Sequence, residues 1–529
     1  MTSYFSILFF AVFLPLVVAA YGIAPRKARW VVLLVASYAF FWILSGRLIV
    51  FILASTVSVY GLALALDAQI RQRDKRLAGA TSGKRAIRAS AKRRMRAILT
   101  AGVLLNVGML VALKYVKFFG EALSGLLGLF GHGFVVNVPP HDLPIGISFY
   151  TLMAVSYLVD VYRESVRADR NLGRVALYLS FFPQVMEGPI CRYSQTAESL
   201  TAGEPLDRRS LYAGAVRILY GFAKKIIVAD RLNAFVRPVF GGHYLFDGGV
   251  TAFAAILYTL QLYCDFSGTM DVALGIAQMF NVRLPENFRQ PFFSRTASEF
   301  WKRWHITLGT WLKDYVYYPV SLSAPCKRLT KRARKVFGNR YGPLLASSVA
   351  LLCVWVINGL WHGAGSQYLF FGMYYFVLIM AGGLIEPVAA KAALRLHVDR
   401  TSAPYRAFQT VRTLVIVFVG EMFFRANGLA AGLAMFRRIV TDFSFSAFTS
   451  GAIFAVGLDG PDYLVVCLAL AGVLAVGIAQ ERGRDVLGAL CERGTIVRWA
   501  VAIALFMAIV IFGAYGASYI PIAPMYAKF

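Results

Sequence analysis

The chain reads WVVLLVASYAFFWIL over residues 30–44, a run without a single charged side chain. A helix of about 20 such residues crosses the roughly 30 Å of membrane hydrocarbon. Comparable runs recur along the 529 residues, of which 58% are hydrophobic. Their length favours helices over the short alternating segments of a membrane barrel. We therefore predict an all-α polytopic membrane protein with about ten to twelve transmembrane helices.

The formal net charge of +28 is concentrated between apolar runs. Eleven cations fall between residues 71 and 96, and a second basic cluster follows at 327–340. Cations collect on the cytoplasmic side, so we predict a basic cytoplasmic loop at 67–97, the second basic cluster at 327–340 on the same side, and an amino terminus outside. This placement argues against a nucleic-acid partner. Contact with the anionic bilayer surface and docking of an acidic cytoplasmic partner both remain open.

The middle of the chain differs in amino-acid composition from its two ends. Between about 140 and 380 the apolar runs are interrupted by Pro, Gly and charge, as in CDFSG at 264–268. Interrupted backbone at membrane depth is tolerated only where protein covers it or a wet cavity adjoins it. We therefore treat 1–529 as one integral-membrane domain with N-terminal helices at 1–140, a catalytic core at 141–384 and C-terminal helices at 385–529.

Several common reaction classes have no signature here. The six cysteines are scattered without a C-x-x-C pair, so neither a disulfide framework nor a zinc site is indicated. The sequence also has no Gly-rich phosphate loop, G-x-S-x-G elbow or H-E-x-x-H motif. Nucleotide hydrolysis, serine hydrolysis and zinc proteolysis are therefore poor interpretations.

Two histidines stand among aromatic residues: His305 ends FWKRWH at 300–305, and His362 lies in NGLWHG at 358–363. Imidazole exchanges a proton near neutral pH, and its burial among aromatics is unfavourable without a partner or a task. We therefore predict that both take part in the reaction. Three- and four-residue spacing also predicts one helical face, serving as packing or as a ligand box, made of Trp301, Trp304, His305, Leu308, Trp311 and Tyr315.

Two aspartates, Asp265 and Asp271, lie in the apolar segment 250–280. An ionisable group at membrane depth usually faces a partner. The first interpretation is that each caps a broken helix or pairs with an arginine. The alternative is that each carboxylate orients a histidine or a polar substrate.

Seven motifs in fixed order resemble one known family, the membrane-bound O-acyltransferases, and within it the bacterial branch of alginate O-acetyltransferase and the D-alanyl transferase of teichoic acids. The matching stretches are LPIGISFY at 143–150, SYLVDVYR at 156–163, FPQ at 182–184 with GPICRY at 188–193, DFSGTMD at 265–271, PENF at 285–288, FWKRWH at 300–305 and GLWHG at 359–363.

The resemblance implies a ring of tilted helices around a thin core, with an external funnel and a cytoplasmic tunnel. An acyl thioester, either acetyl-CoA or a phosphopantetheine carrier protein, would enter from inside and meet a hydroxyl of an extracellular glycan or polyol. His362 would act as general base, without a metal or a permanently bound cofactor. His305 would position the thioester or stabilise developing charge, and Asn358 would be a hydrogen-bond donor.

The substrate site expected from the resemblance also includes Trp304, Trp361, Asp265 and Asp271. The GPICRY run is more similar to polysaccharide-acetylating members and favours acetyl as the group moved. The basic insert after residue 322 is more similar to D-alanylating members. We expect a multi-pass protein of the bacterial inner membrane, and members of this branch often pass the acyl group to a separate extracytoplasmic transferase. A glycan transporter and an assembly scaffold are the non-enzyme alternatives.

Overall fold

The computed structural model describes residues 5–129 and 142–515. The predicted boundary at residues 140 and 141 lies outside these ranges. Within them the chain is helical and has no β-strand beyond an isolated antiparallel bridge between Phe288 and Trp304. The all-α prediction is confirmed.

The α-helices, labelled α1 to α23 in chain order, are Leu14–Ile23, Arg29–Ser45, Ile49–Ala78, Lys84–Lys114, Val116–Leu129, Ile147–Tyr162, Leu172–Ser180, Phe182–Val185, Tyr193–Thr201, Arg208–Phe222, Asp230–Gly241, Gly248–Met279, Ala297–Arg303, Ile306–Leu312, Tyr318–Ser321, Ala324–His362, Ser366–Arg395, Ala403–Arg425, Leu429–Thr441, Ser446–Thr449, Gly460–Glu481, Val486–Cys491 and Thr495–Phe512. Short π-helical turns occupy Phe9–Phe13, Ala223–Ala229 and Lys313–Tyr317.

Eight of the described helical segments are long and apolar enough to span a membrane, and two shorter apolar helices, Phe9–Ile23 and Ile147–Tyr162, accompany them. In α21 and α23 only 6% of the most apolar window is buried by protein, compared with 72% in α12. Apolar surface left so bare requires lipid rather than water around it. The chain is therefore a multi-pass membrane protein, as predicted. One of the eight segments, Arg26–Ala78, contains both α2 and α3.

Two compact units make up the described residues. The first comprises residues 5–215 and 272–285 of the described part. In it, α3 packs against both α4 and α6. Nearly every side chain of α6 is buried, so this helix forms the interior of the unit.

The second unit comprises residues 216–271 and 286–515 of the described part. Helix α16 is interrupted at Gly338, where φ is 73°, and it then packs along its whole apolar half against α17. Glycines allow this close approach: a Cβ on Gly359 would lie 2.5 Å from the carbonyl oxygen of Tyr368, and one on Gly372 would lie 2.3 Å from that of Trp355. The α16–α17 pair is thus held in one register.

Two local expectations were wrong. Most of the basic stretch 67–97 is not a loop, because residues 67–78 continue α3 and residues 84–97 open α4. The segment 250–280 is not interrupted either, since α12 is continuous from Gly248 to Met279. Its polar side chains do not break the helix because cations of residues 217–225 neutralise the aspartates laterally.

Candidate functional site

His305 lies in the break between α13 and α14 rather than within a helix. Helix α13 ends at Arg303, Trp304 is extended, and His305 has left-handed backbone dihedrals with φ 47° and ψ 50°. Backbone hydrogen bonds join Ile306 to Asn287 and Arg289 to Arg303. The prediction of one continuous helical face from Trp301 to Tyr315 was therefore wrong, since pairing with residues 287–289 takes the backbone groups that a helix would use.

Asn287 fixes the tautomer of His305. The Asn287 Oδ1 atom accepts a hydrogen bond from the backbone N–H of Thr307 at 3.0 Å and another from its hydroxyl at 2.9 Å. A backbone N–H can only donate, so the amide oxygen of Asn287 must point toward it. The same oxygen lies 3.2 Å from His305 Nδ1. Nδ1 therefore carries the proton, and Nε2 carries the lone pair.

Burial keeps His305 neutral. The residue lies outside the eight long apolar helices, is 3% exposed, and packs edge-on against Phe266 at 4.8 Å between ring centroids. Burial disfavours the charged imidazolium and lowers the pKa of His305 to about 3. At neutral pH this imidazole therefore offers an uncharged nitrogen acceptor.

His362 is the last residue of α16 and is 4% exposed. The rings of Trp361, Phe371 and Phe424 surround its imidazole, with centroid distances of 5.0, 6.0 and 5.1 Å. The negative end of the helix dipole favours a positive charge at this position. An imidazole here suits a role in which it gains a proton for part of the reaction.

A single indole connects the two histidines. Trp361 lies 5.6 Å from the ring of His305 and 5.0 Å from that of His362, centroid to centroid. Residues 57 positions apart in sequence thus share one buried aromatic neighbour in the second unit. The sequence could suggest that the histidines work together, but only the fold brings them to one place.

Asn358 and Trp304 lie close to this pair in different ways. Asn358 precedes His362 by one helical turn on α16 and is 5% exposed. Its side-chain oxygen has no hydrogen-bond partner among the described residues. Trp304 stacks on Phe300 at 5.4 Å and meets Phe288 edge-on at 5.0 Å. This tryptophan therefore packs under the His305 segment.

The two aspartates of α12 form ion pairs. Asp265 lies 2.9 Å from the Nζ atom of Lys225, and Asp271 lies 2.6 Å from Lys224 and 3.0 Å from Arg217. Pairing with a cation agrees with the first interpretation of these residues, although lysines supply most of the contacts. Removing one partner of such a buried ion pair strongly destabilises the folded protein, because the other charge stays buried without compensation. These carboxylates therefore have a clear structural role.

The sequence did not lead us to predict a role for two residues, Asn287 and Glu421. Asn287 stands in the PENF motif, but its hold on His305 depends on a backbone pairing that spacing does not reveal. Glu421 is a carboxylate in the apolar run 408–423 and is 2% exposed in the structure. A charge inside such a run was a usable signal, because intramembrane carboxylates usually serve a function.

Together the fold and the site define a helical membrane protein with a buried pair of imidazoles. Comparison with known proteins identifies the class. A model of the membrane-bound O-acyltransferase family matches residues 147–334, a range that includes His305 and ends before His362. The protein of Azotobacter vinelandii named "Probable alginate O-acetylase AlgI" is 32% identical over 488 residues, which cover 91% of this chain and 86% of the relative.

More distant relatives carry other acceptors in their names. The peptidoglycan O-acetyltransferase of Helicobacter pylori is 27% identical over 65% of this chain and 64% of its own length. The teichoic acid D-alanyltransferase of Bacillus subtilis is 28% identical over 47% of this chain and 61% of its own. The chain belongs to the membrane-bound O-acyltransferase family, and it is an O-acyltransferase.

Proposed function

We propose that the protein moves an acetyl group from a cytoplasmic thioester to hydroxyls of an extracytoplasmic polysaccharide or cell-wall polymer, with His362 as the general base. The relatives that cover most of the chain are named as O-acetylases, which supports acetyl. The observation that carries the role of His362 is its buried position at a helix end, one indole away from a neutral second imidazole.

One imidazole, that of His362, both takes up and returns the proton in this reaction. The acceptor oxygen attacks the thioester carbonyl while His362 takes the hydroxyl proton. The tetrahedral intermediate then collapses, the C–S bond breaks, and the leaving thiolate receives the proton from His362. Each cycle thus forms one ester and one thiol and leaves the imidazole neutral. Holding the two reactants at one point supplies the proximity contribution to catalysis. The thioester is in addition an activated acyl donor.

His305 has a different role because its tautomer is fixed. Its Nδ1–H is committed to Asn287, so the neutral ring presents Nε2 as an acceptor. An acceptor cannot stabilise an oxyanion, but it can orient a donor such as a hydroxyl or the amide N–H of a pantetheine arm. We assign His305 to positioning and not to charge stabilisation.

An exposed basic groove supports entry of an acidic donor. Side chains at the start of α16 line a cavity of about 170 Å³: Arg328, Lys331, Arg332 and Lys335. A cationic groove attracts the phosphates of a coenzyme or an acidic carrier protein. Transfer of D-alanyl from such a carrier to teichoic acid is the second candidate, and the Bacillus subtilis relative favours it. A separate extracytoplasmic transferase would complete the reaction if the acyl group is handed on.

The test compares surface polymers from cells that carry wild-type protein, His362→Ala, or no protein. Mass spectrometry reads the mass of the ester group, and membrane fractionation checks that each variant is inserted. His397→Ala is the matched control, because this histidine is exposed. We expect the acetyl ester to disappear in His362→Ala and to persist in the control. Full acylation in His362→Ala would favour a scaffold or transport role instead.

A further inference from the structure

Polar atoms without hydrogen-bond partners gather beside His362. Trp301, Trp355, Asn358 and Tyr375 carry these atoms, and together with Glu421 we call them the Tyr375 cluster. The two indole nitrogens, the Tyr375 hydroxyl and the Asn358 side-chain oxygen are all buried, and among the described residues none has a hydrogen-bond partner. Buried polar atoms are nearly always paired, with protein, water or a ligand. Four orphans in one place indicate an occupant.

The aromatic members form one contiguous body. Trp301 lies 4.8 Å from Tyr375 and 5.3 Å from Trp355, and Trp355 stacks on Tyr375 at 5.4 Å, all measured between ring centroids. Phe371 touches both Tyr375, at 5.0 Å, and His362, at 6.0 Å. The cluster is therefore one phenyl ring away from the proposed general base.

Glu421 adds a carboxyl to the cluster. It is 2% exposed. The preceding residue, Gly420, lies against the Tyr375 hydroxyl, since a Cβ there would be 2.5 Å from that oxygen. Three residues further along α18, Phe424 packs on His362 at 5.1 Å. Glu421 thus belongs to the helix segment that faces both Tyr375 and the imidazole.

We propose that the Tyr375 cluster is the subsite for the alcohol acceptor and binds a neutral polyhydroxyl molecule. The proposal rests on the proposed function. A hydroxyl both donates and accepts, so it can satisfy the indole and phenol donors together with the amide and carboxyl acceptors. The C–H faces of a polyol pack on aromatic rings, which form the remaining surface of the cluster. The cluster thereby holds a hydroxyl next to His362.

The experiment separates binding from chemistry. In detergent-purified full-length protein, we measure acetyl transfer from acetyl-CoA to glycerol, and glycerol binding by calorimetry in the His362→Ala background. We expect Tyr375→Phe and Glu421→Gln each to raise the KM for glycerol and to weaken its binding about tenfold, the usual effect of one lost hydrogen bond to a polar ligand. The KM for acetyl-CoA should not change.

Two other residues of α17 supply matched controls. Tyr374→Phe removes a hydroxyl from the same helix that bonds the carbonyl of Ile416 at 2.9 Å, and Glu386→Gln removes an exposed carboxyl that pairs with Arg400. Both should behave as wild type toward glycerol.

The binding and transfer measurements distinguish a failure of the subsite from a failure of the proposed function. Weakened glycerol binding in the cluster variants supports the subsite even if transfer from acetyl-CoA is absent, in which case only the proposed function fails. If glycerol does not bind to the His362→Ala protein, or binds equally to all variants, the cluster holds water alone and the proposal is overturned.

Discussion

Replacement of Asn287 tests whether the tautomer of His305 is built into the fold. Asn287 is 1% exposed, and its oxygen accepts three hydrogen bonds at 2.9 to 3.2 Å. In Asn287→Ala the Thr307 N–H and the His305 Nδ1–H lose their acceptor inside the protein, while the Thr307 hydroxyl can rotate. Each buried orphan destabilises by about 1–3 kcal/mol, so we expect a loss of about 3 kcal/mol.

Asn287→Asp keeps the acceptor oxygens and adds a charge. We expect it to retain most of the stability lost in Asn287→Ala. A carboxylate beside Nδ1 favours the imidazolium, so the pKa of His305 should rise from about 3 toward neutrality. Protonation turns Nε2 from an acceptor into a donor. Transfer by Asn287→Asp should therefore fall as pH drops below about 7, where wild-type His305 is still neutral.

The assays are chemical unfolding in detergent and the pH profile of acyl transfer. Asn427→Ala is the matched control, since Asn427 is exposed in the bend before α19. It should lose well under 1 kcal/mol and keep the wild-type profile. The reasoning would be refuted if Asn287→Asp were as unstable as Asn287→Ala, or if its transfer followed the wild-type pH profile.

Three further outcomes are expected. Lys225 pairs with Asp230 at 2.7 Å as well as with Asp265, so Lys225→Met leaves both carboxylates buried without this cation and should lower the free energy of unfolding by about 3–5 kcal/mol, measured by denaturant titration. Gly359→Ala places a methyl 2.5 Å from the Tyr368 carbonyl and should reduce both thermal stability and transfer, whereas Gly382→Ala, with open space around it, should not. Burial lowers the pKa of His305 from 6.5 to about 3, so its neutral imidazole contributes fully to stability above pH 6.5, and this contribution is lost as the pH falls toward 3. For each pH unit of acidification in this range, the free energy of unfolding of His305→Gln should therefore fall by up to about 1.4 kcal/mol less than that of the wild type.

The histidines show how far sequence reasoning extends into the site. An aromatic-flanked imidazole in an apolar chain is visible in the sequence, and both His305 and His362 prove to be buried against the same indole. The helical spacing around His305 nevertheless predicted the wrong backbone. Periodicity indicates which side chains could share a helical face. It does not reveal that residues 287–289 form hydrogen bonds with backbone groups of residues 303–306 that a continuous helix would use.

Asp265 and Asp271 show the same limit in electrostatics. Their presence at membrane depth predicted a partner, and the structure supplies Lys224, Lys225 and Arg217. Which cation pairs with which carboxylate depends on how α12 packs beside residues 217–225. Spacing along the chain carries no information on that contact, because the partners are about 40 to 55 residues apart.

The sequence by itself determined the class of the protein: apolar runs of membrane length force helices because backbone groups in lipid must bond within their own segment. It also determined which residue types are able to do the chemistry. Only the tertiary structure decided that His305 is held as one tautomer by Asn287, and that Trp301, Trp355 and Asn358 come together with Tyr375 near His362. These features depend on contacts between segments far apart in the chain, and such contacts exist only once the helices have packed.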